Sequence, residues 1–375
     1  MAGRAICFGA TGFTGRLVAE AMVRAGMAPV LAGRSAEALA DLTGELAGLG
    51  PVDRPPTWQV ADASEPASVA ALVTSPDDVL VSTVGPFLRW GRPAVDAAVA
   101  AGCGYVDSTG EPPFIRQVFE EDGPRAERTG ARLLTAFGYD YVPGNLAGAL
   151  AIEQARADGR APAVVEVGYF VRGPMAMSSG TRASIAGVMD APPFALRNGV
   201  LARTRGDVLE FEAEGRTWQA MPVGATEHFT MPRIDPDVRD VSVGLGWAGK
   251  WTTVAHGATG ALAAGASLPG VGSAVKAGVR KITGDETGIG PSPAERAGSS
   301  TLVLARTRDA VGRELSAVVV EGPSPYDLTA ELIAWGAAML LTGRARAVGA
   351  LGPVDAFGLP EFVEGCRQMG LVRVG

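Results

Sequence analysis

Polar side chains able to donate or hold a proton follow two predicted strands, "GYVDS" (104–108) and "ARLLTAFG" (131–138). These strand-end candidates are Asp107, Ser108, Thr109, Glu111, Tyr139, Asp140, Tyr141 and Asn145. A phenol can donate a proton directly, and a carboxyl group can do so where removal from water raises its pKa. We therefore predict Tyr141 and Asp140 as catalytic residues, with Asp140 either orienting the phenol or donating the proton itself. Glu111 and Asn145 are predicted to hold a substrate.

A structural interpretation stands beside each of these predictions. Asp107 could cap a helix, Glu111 could bind backbone amides, and the tyrosines could pack in the core. The two histidines, His228 and His256, lie outside any metal-binding spacing, which favours structural roles for both. The sequence therefore predicts no metal site.

Three evenly spaced glycines separate a predicted strand from a predicted helix in "AICFGATGFTGRLVAEAMVRAG" (5–26). Without side chains the turn can be tight and the backbone can approach a pyrophosphate, while the helix N-terminus supplies N–H groups and partial positive charge. The predicted dinucleotide-binding turn consists of Gly9, Thr11, Gly12, Phe13, Thr14 and Gly15. The alternative is a glycine-rich turn that only packs the strand on the helix.

The end of the second predicted strand indicates which dinucleotide would bind. An acidic residue about 20 residues past the glycines would hold a ribose 2′-hydroxyl, but "LAGRS" places Arg34 and Ser35 there. An arginine fork and a hydroxyl fit a 2′-phosphate, so we predict NADP(H); the alternative for Arg34 is a solvated surface side chain. Asp62 would lie near the adenine or cap a helix. The turn predicted to pass under the nicotinamide consists of Val84, Gly85 and Pro86.

Short apolar runs alternate with helical patterns through the first part of the chain. This alternation predicts an α/β fold with a doubly wound parallel sheet, a Rossmann-type NADP-binding domain over residues 1–145. Residues 146–325 contain alternating strands such as "AVVEVGYFV" and are predicted to form a second, mixed α/β domain for substrate binding and dimerisation. Helices within 326–375 are predicted to pack back on the first domain.

Composition excludes several classes of function. The 33 Lys and Arg residues against 40 Asp and Glu give a net charge of −7, and no basic run is interleaved with aromatic residues, so a nucleic-acid partner is not expected. The cysteines are odd in number and far apart, which is typical of a reducing cytoplasm. Because no signal peptide precedes the first strand and no segment reads as a transmembrane span, we expect a cytoplasmic chain.

An apolar stretch of small residues over 256–279 is the least polar part of the predicted second domain. Together with Met175, Met177, Met189 and Phe194 it could line a cleft for an apolar or carrier-bound substrate. The alternatives are ordinary core packing or a dimer interface.

Several motifs together resemble one family of oxidoreductases. They are "GATGFTGRLVAE" (9–20), "AGRS" (32–35), "VGPF" (84–87), "YVDSTGE" (105–111), "GYDYVPGNL" (138–146), "GPSPAERA" (290–297) and "GPSPYDLTAELIA" (322–334). On these residues the chain resembles the saccharopine dehydrogenase-like oxidoreductase family, in particular its short bacterial branch, which includes the mycobacterial trans-acting enoyl reductases. It has "YDYVPGN" where the family pattern is nearer Phe-Asp-Ser-x-Pro-Ser-Asp, so the substrate end differs.

The resemblance implies a Rossmann domain, a mixed α/β second domain, NADP(H), and hydride transfer to a C=N or C=C bond of a small or carrier-bound metabolite. It leaves the substrate, the direction of transfer and the oligomeric state open, with a homodimer as one option. A non-catalytic protein that binds NADP(H) as a sensor is the alternative function, since similar glycine turns occur in such regulators.

Overall fold

The computed structural model describes residues 3–49, 54–174, 177–188, 193–203, 206–246 and 289–374. Contacts divide the chain into two compact units, residues 1–142 with 288–290 and 325–370, and residues 143–287 with 291–324 and 371–375. The apolar stretch 256–279, with His256, Met175 and Met189, lies outside the described residues.

The first unit is built on a seven-stranded sheet in which every neighbouring pair is parallel. Its strands are β1 (Ala5–Phe8), β2 (Val30–Gly33), β3 (Thr57–Val60), β4 (Val79–Ser82), β5 (Gly104–Asp107), β6 (Arg132–Leu134) and, from the far end of the chain, β15 (Gly349–Ala350). The order β15-β6-β5-β4-β1-β2-β3 contains the 3-2-1-4-5-6 order of the Rossmann fold, with its reversal between β1 and β4. The predicted fold class is confirmed.

The central strands of this sheet carry apolar side chains on both faces, as in "AICF" of β1. Both faces must therefore be covered, and helices cover them. They are α1 (Phe13–Arg24), α2 (Ala36–Leu46), α3 (Pro66–Ala70), α4 (Phe87–Trp90), α5 (Arg92–Ala101), α6 (Pro112–Gln117), α7 (Gly123–Thr129), α12 (Pro325–Leu341), α13 (Pro353–Phe357) and α14 (Leu359–Gln368). A π-helical turn, Val118–Asp122, joins α6 to α7.

The C-terminal helices contribute to the core of the first unit. Helix α12 packs against α1 and β5. Its Trp335 stacks on Phe137 at 6.2 Å and meets Phe357 edge-on at 4.9 Å, between ring centroids. Aromatic pairs at these separations add to the free energy of area burial, so this cluster holds the β6 end of the sheet to the C-terminal helices.

The second unit contains a mixed sheet in which β7 pairs in parallel with β12 and antiparallel with β13. Its strands are β7 (Val164–Arg172), β8 (Phe194–Arg197), β9 (Val200–Arg203), β10 (Leu209–Ala213), β11 (Arg216–Pro222), β12 (Asp240–Leu245), β13 (Ser300–Arg308), β14 (Glu314–Gly322) and β16 (Val372–Val374). The accompanying helices are α8 (Val142–Ala157), α9 (Ser179–Val188), α10 (Glu227–Ile234) and α11 (Pro293–Ala297). The mixed second sheet agrees with the prediction.

One face of this second sheet carries an apolar core. Its members are Phe170, Phe211, Ala220, Leu302 and Leu304. Leu302 and Leu304 are alternate residues of β13, so the pleat points both to the same face. Across the described ranges of the chain, no helix is both long enough and apolar enough to cross a membrane.

Candidate active site

The glycine turn between β1 and α1 requires two of its three glycines for its own geometry. Gly9 has a φ of +88°, and a Cβ there would lie 2.7 Å from the Thr83 hydroxyl oxygen. A Cβ at Gly15 would lie 2.0 Å from the Gly9 carbonyl oxygen, so only glycine lets α1 approach the turn. At Gly12 the nearest atom to such a Cβ is the same oxygen at 3.3 Å. Gly9 and Gly15 are therefore required by the geometry of the turn itself. Gly12 leaves the turn without a side chain at that position, so a pyrophosphate could approach the backbone.

The first turn of α1 is suited to an anion. Gly12 is its N-cap and makes no side-chain hydrogen bond, and no acidic residue lies in the first turn. Helix N-terminal N–H groups without a side-chain cap favour a phosphate. The ring of Phe13 packs edge-on against Tyr326, with 5.3 Å between the ring centroids. Its side chain therefore contacts the protein, and only its backbone is placed to contact a ligand at the turn. Thr14 is partly exposed.

Arg34 and Ser35 lie at the carboxyl end of β2, and both are exposed. Ser35 is the N-cap of α2 and accepts a hydrogen bond from the Ala38 amide at 3.2 Å. In the described part of the chain the Arg34 guanidinium forms no ion pair with a carboxylate. The guanidinium is exposed at this sheet edge.

Asp62 follows β3 and is fixed by its own loop. Its Oδ1 accepts hydrogen bonds from the amide and the hydroxyl of Ser64, both at 2.8 Å. These bonds lower the pKa of Asp62, and the charge of Arg34 lowers it further. The N-cap of α3 is Glu65, so Asp62 lies beside Arg34 at this sheet edge without being that helix's cap.

The turn after β4 lies against the glycine turn. Thr83 donates a weak hydrogen bond to the Phe8 carbonyl at 3.2 Å, and a Cβ on Gly9 would come within 2.9 Å of the Val84 side chain. The Gly85–Pro86 peptide is cis, and Pro86 is the N-cap of α4. Val84, Gly85 and Pro86 therefore lie next to the β1–β4 reversal, where nucleotides bind in open parallel sheets.

Glu111 is fully buried and binds backbone. Its Oε1 accepts from the Phe87 amide at 2.8 Å and its Oε2 from the Leu88 amide at 2.9 Å. Sequence reasoning left this role open beside the substrate role. The structure gives the carboxylate two amide donors, and the substrate contact of Glu111 stays a prediction.

Asp107 connects the loops that follow β5 and β6. Its Oδ1 accepts from the amides of Thr109 and Ala136, at 2.9 and 2.8 Å, and its Oδ2 accepts from the Thr135 hydroxyl at 2.8 Å. Burial raises the pKa of Asp107 to about 6, against the effect of these hydrogen bonds. A helix-capping role is not what the structure shows, because the N-cap of the following helix is Glu111.

Asp140 has the properties of a proton donor at neutral pH. Burial raises its pKa to about 7. The residue as a whole is partly exposed, but its Oδ1 is shielded from solvent and makes no hydrogen bond within the described residues. A Cβ on Gly110 would lie 2.9 Å from its Oδ2, so this carboxyl group occupies the space that the glycine leaves.

Tyr141 follows Asp140 through a cis peptide bond, and its side chain is fully buried. Its amide donates to the Ala136 carbonyl at 2.7 Å, which folds residues 136–141 into a tight loop. Tyr139 is also buried, so both phenols of this loop are removed from solvent. The catalytic roles of Asp140 and Tyr141 remain predictions.

Asn145 belongs to the second unit, where it anchors α8 to α10. Its Nδ2 donates to the Thr226 hydroxyl at 2.9 Å, and its Oδ1 accepts from the Thr230 hydroxyl at 2.6 Å. Next to it, the Gly144 amide donates to the Tyr169 hydroxyl at 2.8 Å, and that hydroxyl donates to Glu227 at 2.6 Å. The predicted substrate role of Asn145 thus concerns a side chain already held in a buried polar network.

His228 has a structural environment in the second unit. Its Nδ1 lies 3.0 Å from the Ala225 carbonyl oxygen, and its ring packs on Phe194 at 5.2 Å. Burial lowers the pKa of His228 to about 4, so the ring is neutral at physiological pH. Across the described ranges, no three His, Cys, Asp or Glu side chains are grouped closely enough to hold a metal ion.

Three comparisons with known proteins bear on this site. No protein-family model matches the chain. A Mycobacterium tuberculosis protein carrying the name trans-acting enoyl reductase Rv2449c is 41% identical over 161 residues, which cover 41% of this chain and 36% of that protein. The trans-acting enoyl reductase of Mycobacterium leprae is 40% identical over 143 residues, which cover 38% of this chain and 33% of that protein. The matched segment therefore spans about a third of the length of these relatives.

A solved structure covers the whole chain. Apo saccharopine dehydrogenase (L-Glu forming) from Saccharomyces cerevisiae superposes with a TM-score of 0.56 at 11% identity, over 100% of both chains. The chain resembles trans-acting enoyl reductases in sequence and saccharopine dehydrogenase in fold. This confirms the resemblance that the motifs indicate, and the names of these relatives support an oxidoreductase.

Proposed function

We propose that the chain is an NADPH-dependent oxidoreductase that transfers hydride to a C=N or C=C bond of a small or carrier-bound metabolite. The observation that carries the proposal is the position of Asp140. A carboxyl group with a pKa of about 7 follows a strand whose carboxyl end lies at the same sheet edge as the glycine turn. A dinucleotide site and a group that holds a proton at neutral pH are the two parts that such a reduction needs.

The residues of this edge fit NADP(H) in separate ways. The bare N-terminus of α1 at Gly12 would hold the pyrophosphate, and the exposed Arg34 guanidinium, with Ser35, would hold the 2′-phosphate. Asp62 would lie on the adenosine side. Val84 to Pro86, beside the β1–β4 reversal, would lie under the nicotinamide. When bound, NADPH supplies the hydride.

The protein's own contribution to the reaction is the proton. Reduction of a C=N or C=C bond adds hydride to one atom and a proton to the other, so each turnover consumes one proton. Asp140 can hold that proton near neutral pH, because burial raises its pKa to about 7. It would donate the proton to the acceptor and regain one from solvent. Tyr141 is the second candidate, as direct donor or as a phenol oriented by Asp140.

The names of the relatives favour an enoyl group as the acceptor, because both matched mycobacterial proteins are called trans-acting enoyl reductases. The proposal is tested by following NADPH absorbance with a panel of cyclic imines, enones and enoyl thioesters. Oxidation with at least one acceptor, dependent on the protein, is the expected result. Binding of NADPH without oxidation by any acceptor would favour the sensing protein, and no binding of NADPH would refute both.

A further inference from the structure

The five residues Asp107 to Glu111 connect both neighbours of β5 at the carboxyl edge of the sheet. β5 lies between β4 and β6, and its following segment carries a buried carboxylate at each end. The Glu111 carboxylate accepts from two amides after β4, and the Asp107 carboxylate accepts from one amide and one hydroxyl after β6. This segment therefore determines the relative position of the two flanking loops.

Glu111 supplies hydrogen-bond acceptors to the first amides of α4. The first N–H groups of a helix have no partner within it, and the N-cap here is Pro86, which makes no side-chain hydrogen bond. Glu111, 24 residues along the chain from Phe87, takes two of these donors, one with each oxygen. A carboxylate at a helix N-terminus is favoured by charge, and the pair of amide donors offsets its removal from water.

The middle of the segment adds a steric requirement. Gly110 lies against the Asp140 carboxyl group, and a Cβ at this position would come within 2.9 Å of Asp140 Oδ2, so a side chain here would displace that carboxyl group. One end of the segment thus holds the turn predicted to lie under the nicotinamide, and the rest holds the loop that carries the proposed proton donor.

We propose that Glu111 is a positioning residue that sets residues 84–88 for the nicotinamide half of the cofactor, in place of the substrate contact predicted from the sequence. This inference rests on the proposed function, because it assigns Glu111 a role toward NADPH. A residue that supports the nicotinamide side alone has a specific consequence. Its loss weakens binding of the whole dinucleotide and leaves binding of the adenosine part unchanged.

The test combines amide exchange with two ligands. In the wild-type protein without ligand, hydrogen exchange resolved to single residues should show protected amides at Phe87 and Leu88. In Glu111→Gln one carboxamide oxygen remains as an acceptor, so one of these two amides should exchange at least tenfold faster while the amides of β1 do not change. NADPH should bind about tenfold more weakly to this variant. 2′-Phospho-ADP-ribose, which lacks the nicotinamide, should bind within twofold of wild type. Glu121→Gln, at an exposed position nearby, is the matched control and should match wild type in every measurement.

The outcomes separate this inference from the proposed function. Wild-type protein that does not bind NADPH would overturn the proposed function and this role with it. Wild-type binding together with unprotected Phe87 and Leu88 amides would overturn the role of Glu111 alone, and this arm needs no variant to fold. An equal loss of affinity for both ligands would also overturn it, because it would show that Glu111 only supports the fold.

Discussion

Replacing Asp140 by asparagine should stabilise the protein at alkaline pH and slow the proposed reduction at least a hundredfold. The carboxyl group has a pKa raised from 3.8 to about 7 by burial. Because one pKa unit corresponds to about 1.4 kcal/mol, ionising it in the folded state costs up to about 4 kcal/mol, and partial exposure of the residue reduces that figure. An asparagine side chain at this position would have nearly the same shape and no charge to bury.

The sign of the pH dependence follows from the direction of this shift. The folded state holds the Asp140 proton more tightly than the unfolded state, so its contribution to stability is complete below about pH 4. It is lost as the pH rises through about 7. The other ionisable groups are the same in both proteins and cancel in the difference. The free energy of unfolding of Asp140→Asn, relative to wild type, should therefore rise by about 1 to 3 kcal/mol between pH 5 and pH 8.5.

Urea unfolding of both proteins at the two pH values measures this difference. The control is Asp77→Asn, at an exposed position, whose difference from wild type should stay constant with pH. In single-turnover experiments Asp140→Asn should bind NADPH normally and oxidise it at least a hundredfold more slowly. A difference in unfolding free energy that does not change with pH would refute the burial argument. Wild-type turnover by the variant would refute the proton-transfer role.

Three further predictions concern the cofactor turn and the phenol. Arg34→Ala should lose about 1.5 to 3 kcal/mol of preference for NADPH over NADH, the range for a hydrogen bond to a charged group, and titration of both cofactors measures it; equal affinities in the wild-type protein would contradict the assignment. Tyr141→Phe should slow single-turnover NADPH oxidation if the phenol donates the proton and leave it unchanged if Asp140 does, with rapid-mixing absorbance as the assay. Gly15→Ala should abolish NADPH binding, because the new Cβ would lie 2.0 Å from the Gly9 carbonyl oxygen. The control is Gly44→Ala, whose Cβ would meet no atom within 4 Å and which should bind NADPH as wild type does. Fluorescence titration measures both.

Local patterns were sufficient to predict the first sheet and its glycine turn. Strands β1, β2 and β4 are short apolar runs, each followed by a helical period, and the glycines stand at one such junction, so neighbouring residues carry the signal. The two-residue strand β15 joins the sheet beside β6 from a point more than 200 residues later, and nothing local marks it. The π-helical turn between α6 and α7 likewise has no local signal, since a helical period continues through it.

The candidate site was predictable by position and less so by environment. Strand-end placement indicates Asp140 and Glu111 as polar residues of one sheet edge, but their surroundings depend on contacts distant in sequence. Glu111 reaches amides 24 and 23 residues away, and the pKa of Asp140 rises because the folded chain excludes water from its carboxyl group. Asp107 and Gly110 likewise contact residues of the loop after β6 that are distant from them in sequence. The sequence "YVDSTGE" marks the segment as unusual without showing which loops it holds.

Hydride transfer itself is the most direct test of the account. NADPH carrying deuterium on both C4 positions is mixed with the protein and each acceptor of the imine, enone and enoyl thioester panel, and the products are analysed by mass spectrometry. We expect a product with one deuterium bound to carbon, formed by wild-type protein at a rate that falls as the pH rises through about 7, and formed at least a hundredfold more slowly by Asp140→Asn. Absence of deuterium from every product, while the protein still binds NADPH, would contradict it.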